Sequence, residues 1–135
     1  MKQVAKLVVI DNEDNYLLMQ RSDHPTFSYD ADLPGGTVEA DESTLDAMLR
    51  EVVEEAGFAV DKEVVEKLYD GTEYSAHHTH YSLYVAKLAK RPKVIMSWEH
   101  SSYSWLDRKQ FLDKAKNAKD TYMHMVYDVI LRSGV

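Results

Sequence analysis

Glu51, Glu54 and Glu55 fall at i, i+3 and i+4 within residues 45–56, a stretch without Gly or Pro that is rich in Leu, Ala, Met, Glu and Arg. Those residue types are good helix formers, and that spacing puts the three carboxylates on neighbouring turns of one helix face. Leu45, Leu49, Val52 and Ala56 recur at i, i+4, i+7 and i+11 and make an apolar stripe. At about 100° per residue the carboxylates lie roughly 150° from that stripe. One face is therefore expected to pack on a core while the other presents negative charge. Like charges this close repel by about 0.2–0.5 kcal/mol per pair, and Arg50 is the one nearby cation. An acidic helix face is ordinarily just solvated. Here a divalent cation is the better partner, and hard carboxylate oxygens suit Mg²⁺ or Mn²⁺. Gly57 stops the helix as a C′ glycine does. Upstream, Leu33-Pro34-Gly35-Gly36 reads as a turn whose backbone can approach a ligand closely.

The elements that must position this helix follow from pattern. Residues 3–10 and 16–21 read as strands joined by the turn cluster 11–15. Residues 24–33 read as a loop and 36–39 as a short extended piece. Strands are expected over 62–69, 80–88, 93–97 and 103–106, and helices over 107–115 and 120–131. The last helix carries Tyr122, Val126, Val129 and Ile130 on a packing stripe. Strands mixed with helices imply an α/β layered domain.

With 135 residues, 44% hydrophobic and 29% charged, the chain suits one domain, 1–135, with a real core. There is no apolar run of membrane-spanning length, and the start MKQVAKLVVIDNED reads as a strand, not a signal peptide. No cysteine is present, so disulfide and thiol chemistry are excluded. A cytoplasmic location is the default expectation. A net charge of −7 argues against a broad nucleic-acid footprint but suits a small phosphorylated substrate.

Residues 36–58, GTVEADESTLDAMLREVVEEAGF, have the spacing G-x5-E-x7-R-E-U-x-E-E-x-G-U, where U is apolar. This matches the Nudix box at every fixed position, and the chain resembles the Nudix hydrolases. The resemblance implies an α/β/α sandwich with a mixed, partly parallel sheet. It also implies a Mg²⁺-dependent enzyme, with Mn²⁺ as an alternative. Such an enzyme cleaves a nucleoside diphosphate linked to a moiety X, a nucleoside triphosphate or dinucleoside polyphosphate among them, by attack of water on phosphorus. The expected cation ligands are Glu51, Glu54, Glu55 and the Gly36 carbonyl. Arg50 would hold the box carboxylates, Glu42 would be structural, and the general base would be Glu51 or Glu99.

Other expectations are weaker. Arg21, ending a strand, is placed to grip phosphate oxygens. Phe27 and Tyr74 are candidate base-stacking residues, as are Tyr29 and Tyr81. His100 is a second choice beside Glu99 for the acid–base role. His77, His78 and His80 read as polar surface or pocket residues, not a zinc set. Trp98 and Trp105 read as core or strand-packing residues. A nucleotide sensor without catalysis is the alternative function, and a degraded box would be its mark. Monomer and homodimer are equally compatible with the sequence.

Overall fold

The β-branched run near the start of the chain forms β1 (Gln3–Ile10), the strand around which the sheet is built. The computed structural model describes residues 1–135. β1 pairs in parallel with β6 (His80–Lys87) and antiparallel with β2 (Tyr16–Arg21) and β4 (Gly35–Thr37). β2 also pairs with β3 (Ala31–Asp32) and β7 (His100–Leu106), and β5 (Val65–Gly71) joins β6, all antiparallel. The sheet is therefore mixed and partly parallel.

Successive residues of a strand point to opposite faces, and β1 and β2 are apolar on both. Ala5, Leu7, Val9, Leu17 and Met19 pack with Met48, Val52 and Ala56 of α1 (Thr44–Ala56). On the other face Val8, Ile10, Tyr16 and Leu18 pack with Phe111 and Leu112 of α2 (Arg108–Lys116) and Tyr122, Met123, Val126 and Ile130 of α3 (Thr121–Ser133). The layers are thus α/β/α, with a core on each side of the sheet. One polar side chain interrupts the apolar run of β1: Lys6, which is buried.

α1 begins where Ser43 accepts the Asp46 amide at 3.0 Å and ends at Gly57, whose φ of 77° is left-handed. Its buried face differs from the expected stripe. Met48 and Ala47 are fully buried, whereas Leu45 and Leu49 sit half-buried at the margin of the core. Glu55 is also on the inner side, only 5% exposed. It lies about 100° from Glu54 around the helix and next to Ala56, so the three carboxylates do not share one solvent face.

Three other expectations need correcting. Residues 24–33 are not all loop, because Ala31 and Asp32 form β3 on the edge of β2. Two residues are too few to show a period. Residues 62–64 are a turn of 3₁₀ helix, started by Asp61 accepting the Glu63 amide, and β5 begins only at Val65. Residues 93–97 form no strand. The Ile95 and Ser97 amides donate to the Ala56 and Glu55 carbonyls at 2.9 and 3.2 Å, satisfying the open end of α1.

Candidate active site

Gly35, Gly36 and Thr37, which form β4 and not the turn expected at Gly35-Gly36, enclose an open cavity of about 750 Å³ with the inner face of α1, the floor of β1 and the start of α3. Glu51 and Glu55 line it from α1, and Glu99 lines it from the loop between the α1-bound segment and β7. The loop is pinned on both sides. Ser97 is tied to α1, and the Ser22 amide and hydroxyl donate to the Glu99 and Trp98 carbonyls at 2.9 and 2.7 Å.

Both glycines of β4 sit in close contacts, Gly35 against backbone and Gly36 against a box carboxylate. A Cβ on Gly35 would stand 2.4 Å from the Ala5 carbonyl oxygen, and one on Gly36 2.9 Å from the Glu51 carboxyl carbon. The Gly35 amide donates to Glu55 Oε1 at 3.0 Å, so β4 orients a box carboxylate directly. Arg50 works from the outer side. Its guanidinium grips Glu42 through Nη2 at 2.7 Å and Nε at 3.1 Å, and its Nη1 reaches Glu51 at 2.9 Å and Glu54 at 3.3 Å. Glu42 also accepts the Glu39 amide at 2.9 Å, clamping the loop before α1.

Burial pushes the Glu55 carboxyl up to about 9. Lys6 and the Gly35 amide oppose the rise, while the neighbouring Glu99 carboxyl adds to it. Burial also raises Glu51, against the pull of Arg50 and with the push of Glu54 and Glu99. Buried carboxyl groups are costly to hold as anions, and a divalent ion beside them would supply the compensating charge. As the side chains are turned here, no three acidic groups stand at the spacing that holds one ion. The donor set is nonetheless wholly oxygen, and it fits a hard divalent ion after side-chain rotation.

The opposite wall is a buried ionic hub that sequence reasoning missed. Asp32 accepts from Lys6 Nζ at 2.5 Å and contacts His100 Nε2 at 2.9 Å, with Arg21 Nε 3.5 Å away. Burial would raise the Asp32 carboxyl, but Lys6, His100 and Arg21 hold it well below the usual range. A register shift between Gln20 and Arg21 turns Arg21 away from the face of Leu17 and Met19. Arg21 Nη2 then reaches Asp120, the N-cap of α3, at 2.7 Å. The lone lysine in an apolar strand was the available signal for this hub. Its acidic partner lay hidden in a two-residue strand.

Of the residues singled out from sequence, Arg21, Phe27, Gly36, Glu51, Glu55 and Glu99 line the cavity. Glu54 does not line it and is exposed, contacting Arg50. Tyr74 does not line it: its hydroxyl donates to Asp128 at 2.6 Å and its ring sits edge-on to Tyr69. Tyr81 and His77 do line it, whereas His80 pairs with Asp70. Lys2, Lys119 and His24 are lining residues with no sequence signal of their own. Trp105 is half-buried against Arg91, as a packing residue should be. Trp98 is not: it is 85% exposed.

The NUDIX domain family model matches residues 1–126. The chain belongs to the Nudix family. It is a Nudix hydrolase of phosphoric anhydride bonds, a class whose chemistry uses a divalent metal ion. A comparison with curated proteins finds no match. Among solved structures it is similar to the MutT protein from Methanosarcina mazei Go1, at 23% identity and TM-score 0.72, covering 98% of this chain and 94% of that one. A C. elegans Ap4A hydrolase binary complex matches at 23% identity and TM-score 0.72, covering 97% and 95%. A bifunctional NMN adenylyltransferase/ADP ribose pyrophosphatase from Francisella tularensis, complexed with AMP and Mn ion, matches at 22% identity and TM-score 0.69, covering 97% of this chain and 41% of that one. These likenesses extend the Nudix fold to nearly the whole chain. No helix is long and apolar enough to cross a membrane.

Proposed function

We propose that this Nudix hydrolase is a Mg²⁺-dependent pyrophosphohydrolase of small nucleotides, acting as one domain over 1–135. It splits a nucleoside diphosphate linked to X into a nucleoside monophosphate and phosphorylated X. A nucleoside triphosphate or dinucleoside polyphosphate is the preferred substrate class. One observation carries the reading: Glu51, Glu55 and Glu99 face the same cavity as Lys2, Lys6, Arg21 and Lys119. A diphosphate needs a cation between it and the carboxylates and basic groups along its length, and this cavity offers carboxylates to hold the one and supplies the other.

Glu51, Glu54, Glu55 and the Gly36 carbonyl would hold the ion, with Mn²⁺ able to substitute. When bound, it supplies positive charge against the diphosphate and lowers the pKa of a coordinated water. Arg50 keeps Glu51 and Glu54 in place through its hydrogen bonds. Arg21, braced by Asp120, and Lys6, braced by Asp32, hold the phosphates so that attack is in line. Phe27 carries the Arg21 guanidinium 5.1 Å over its ring and borders the substrate. Tyr74 packs on the core outside the cavity, and its hydroxyl donates to Asp128.

The base is Glu51 or Glu99. Glu99 has no arginine partner and sits on a loop, which favours it as the group that receives the proton. In pH–rate profiles of Glu51→Gln and Glu99→Gln, the variant that removes the base loses the acidic limb of kcat. The direct test of the whole reading is product release from a nucleotide panel with Mg²⁺ and with EDTA. Glu54→Gln is expected to lower turnover by a factor of about 10² or more, with unchanged circular dichroism. Near-normal turnover in that variant would sink the proposed site.

A further inference from the structure

Trp98 is an indole left 85% exposed, one residue before Glu99. Tryptophan ordinarily buries most of its ring because that ring is a large apolar surface. Here the backbone around it is held, not loose. The Trp98 carbonyl accepts the Ser22 hydroxyl at 2.7 Å, and the next carbonyl accepts the Ser22 amide at 2.9 Å. The ring is thus presented from a fixed loop beside the catalytic carboxylates.

Trp98 borders a small annex of about 180 Å³. Arg21, His24, Asp32 and Glu99 line both this annex and the main cavity, so the two are continuous. Pockets for whole drug-sized ligands start near ~300 Å³, so the annex takes a ring-sized part of a longer molecule. Where the annex opens into the main cavity, His24 stacks on Phe27 of that cavity with centroids 5.7 Å apart and planes at 27°. Behind it, Arg21 Nε and His100 Nδ1 are buried without hydrogen-bond partners. Such atoms are uncommon in a closed protein and mark places where a polar ligand or water belongs.

We infer that Trp98 is the base-stacking residue of the substrate site, holding the nucleobase of the substrate in the annex beside the His24–Phe27 stack. The inference rests on the proposed nucleotide hydrolysis for its ligand. A base has an apolar face for the indole and polar edges for the annex wall. Continuity with the cavity then puts the attached phosphates between Arg21 and the box carboxylates. An aromatic platform selects for a planar group and is tolerant of which base it is.

The test uses the full chain in a Trp105→Phe background, where Trp98 is the only fluorophore of its kind. AMP, GMP, CMP and UMP are titrated with Mg²⁺, and ribose 5-phosphate serves as the base-free control. At least one nucleotide is expected to quench Trp98, and the control is not. By calorimetry, Trp98→Ala should weaken that nucleotide roughly 5- to 150-fold, raise KM for the cleaved substrate and leave kcat within a few-fold. Trp98→Phe should restore most of the affinity. Unchanged nucleotide affinity and KM in Trp98→Ala would overturn the inference while leaving the hydrolase reading intact. Equal quenching by ribose 5-phosphate would overturn it too, as would loss of self-association in Trp98→Ala with nucleotide binding unaltered. Failure of the wild-type chain to cleave any panel member counts against the hydrolase reading and is read separately.

Discussion

At the residue scale, Asp11 reports on the fold without touching the active site. It is fully buried at the end of β1 and accepts the Glu13 and Asn15 amides at 2.8 and 2.9 Å and Arg91 Nε at 2.7 Å. Burial alone would raise its carboxyl, but these hydrogen bonds and the Arg91 charge outweigh that and leave it below 3.8. A carboxyl depressed in the folded state stabilises the fold above its unfolded value. The contribution is lost as pH falls through the folded one. Asp11→Asn is therefore expected to cost about 1–3 kcal/mol at neutral pH and to flatten the acid loss of Tm below about pH 4. Thermal melts of both chains at neutral and acid pH check this. A variant whose Tm falls with acid as steeply as wild type contradicts it.

The element scale is best probed at helix ends. Gly57 and Gly134 close α1 and α3 in the same left-handed conformation, with φ of 77° and 73°. Their surroundings differ. A Cβ on Gly57 would meet Ile95 Cβ at 2.8 Å and its carbonyl oxygen at 2.9 Å, while one on Gly134 meets nothing within 4 Å. Gly134→Ala should cost only the backbone strain, roughly 1–2 kcal/mol. Gly57→Ala should cost more, because Ile95 must move, and with it the segment that carries Glu99. Denaturant unfolding and turnover measure the two consequences. Equal losses of stability in both variants, with full activity, would refute the packing account of the α1 end.

On the scale of the whole molecule, Asp32 ties together elements distant in sequence. Lys6 comes from β1, Arg21 from β2, His100 from β7 and, through Arg21, Asp120 from the start of α3. Removing one member of a buried charge network strands the others. Asp32→Ala leaves Lys6 and His100 without their acceptor, removes the charge beside Arg21 Nε, and should destabilise the fold by roughly 3–5 kcal/mol. Urea unfolding is the check, and a loss below about 1 kcal/mol would mean the hub carries no structural weight.

Local order was legible without coordinates: the helix after the glycine pair, its stop at Gly57, the long strands β1, β2 and β6, and the last two helices. These depend on spacing of apolar residues and on glycine conformation, properties of short stretches. The box residues were legible because their types and intervals are themselves the signal; Glu99 gave a weaker one, and its place on the cavity wall came from the fold. What only the tertiary structure decided depends on contacts between distant segments. Glu55 is drawn inward by the Gly35 amide, residues 93–97 spend their amides on the end of α1, and a register shift turns Arg21 toward Asp120. Lys6 finds its acceptor in a strand of two residues. Tyr74 was expected to stack on a base and Trp98 to pack, yet Tyr74 packs on the core and Trp98 stands exposed at the rim. Sequence period says which face of an element is apolar; where that face stops being covered is set by the other elements around it.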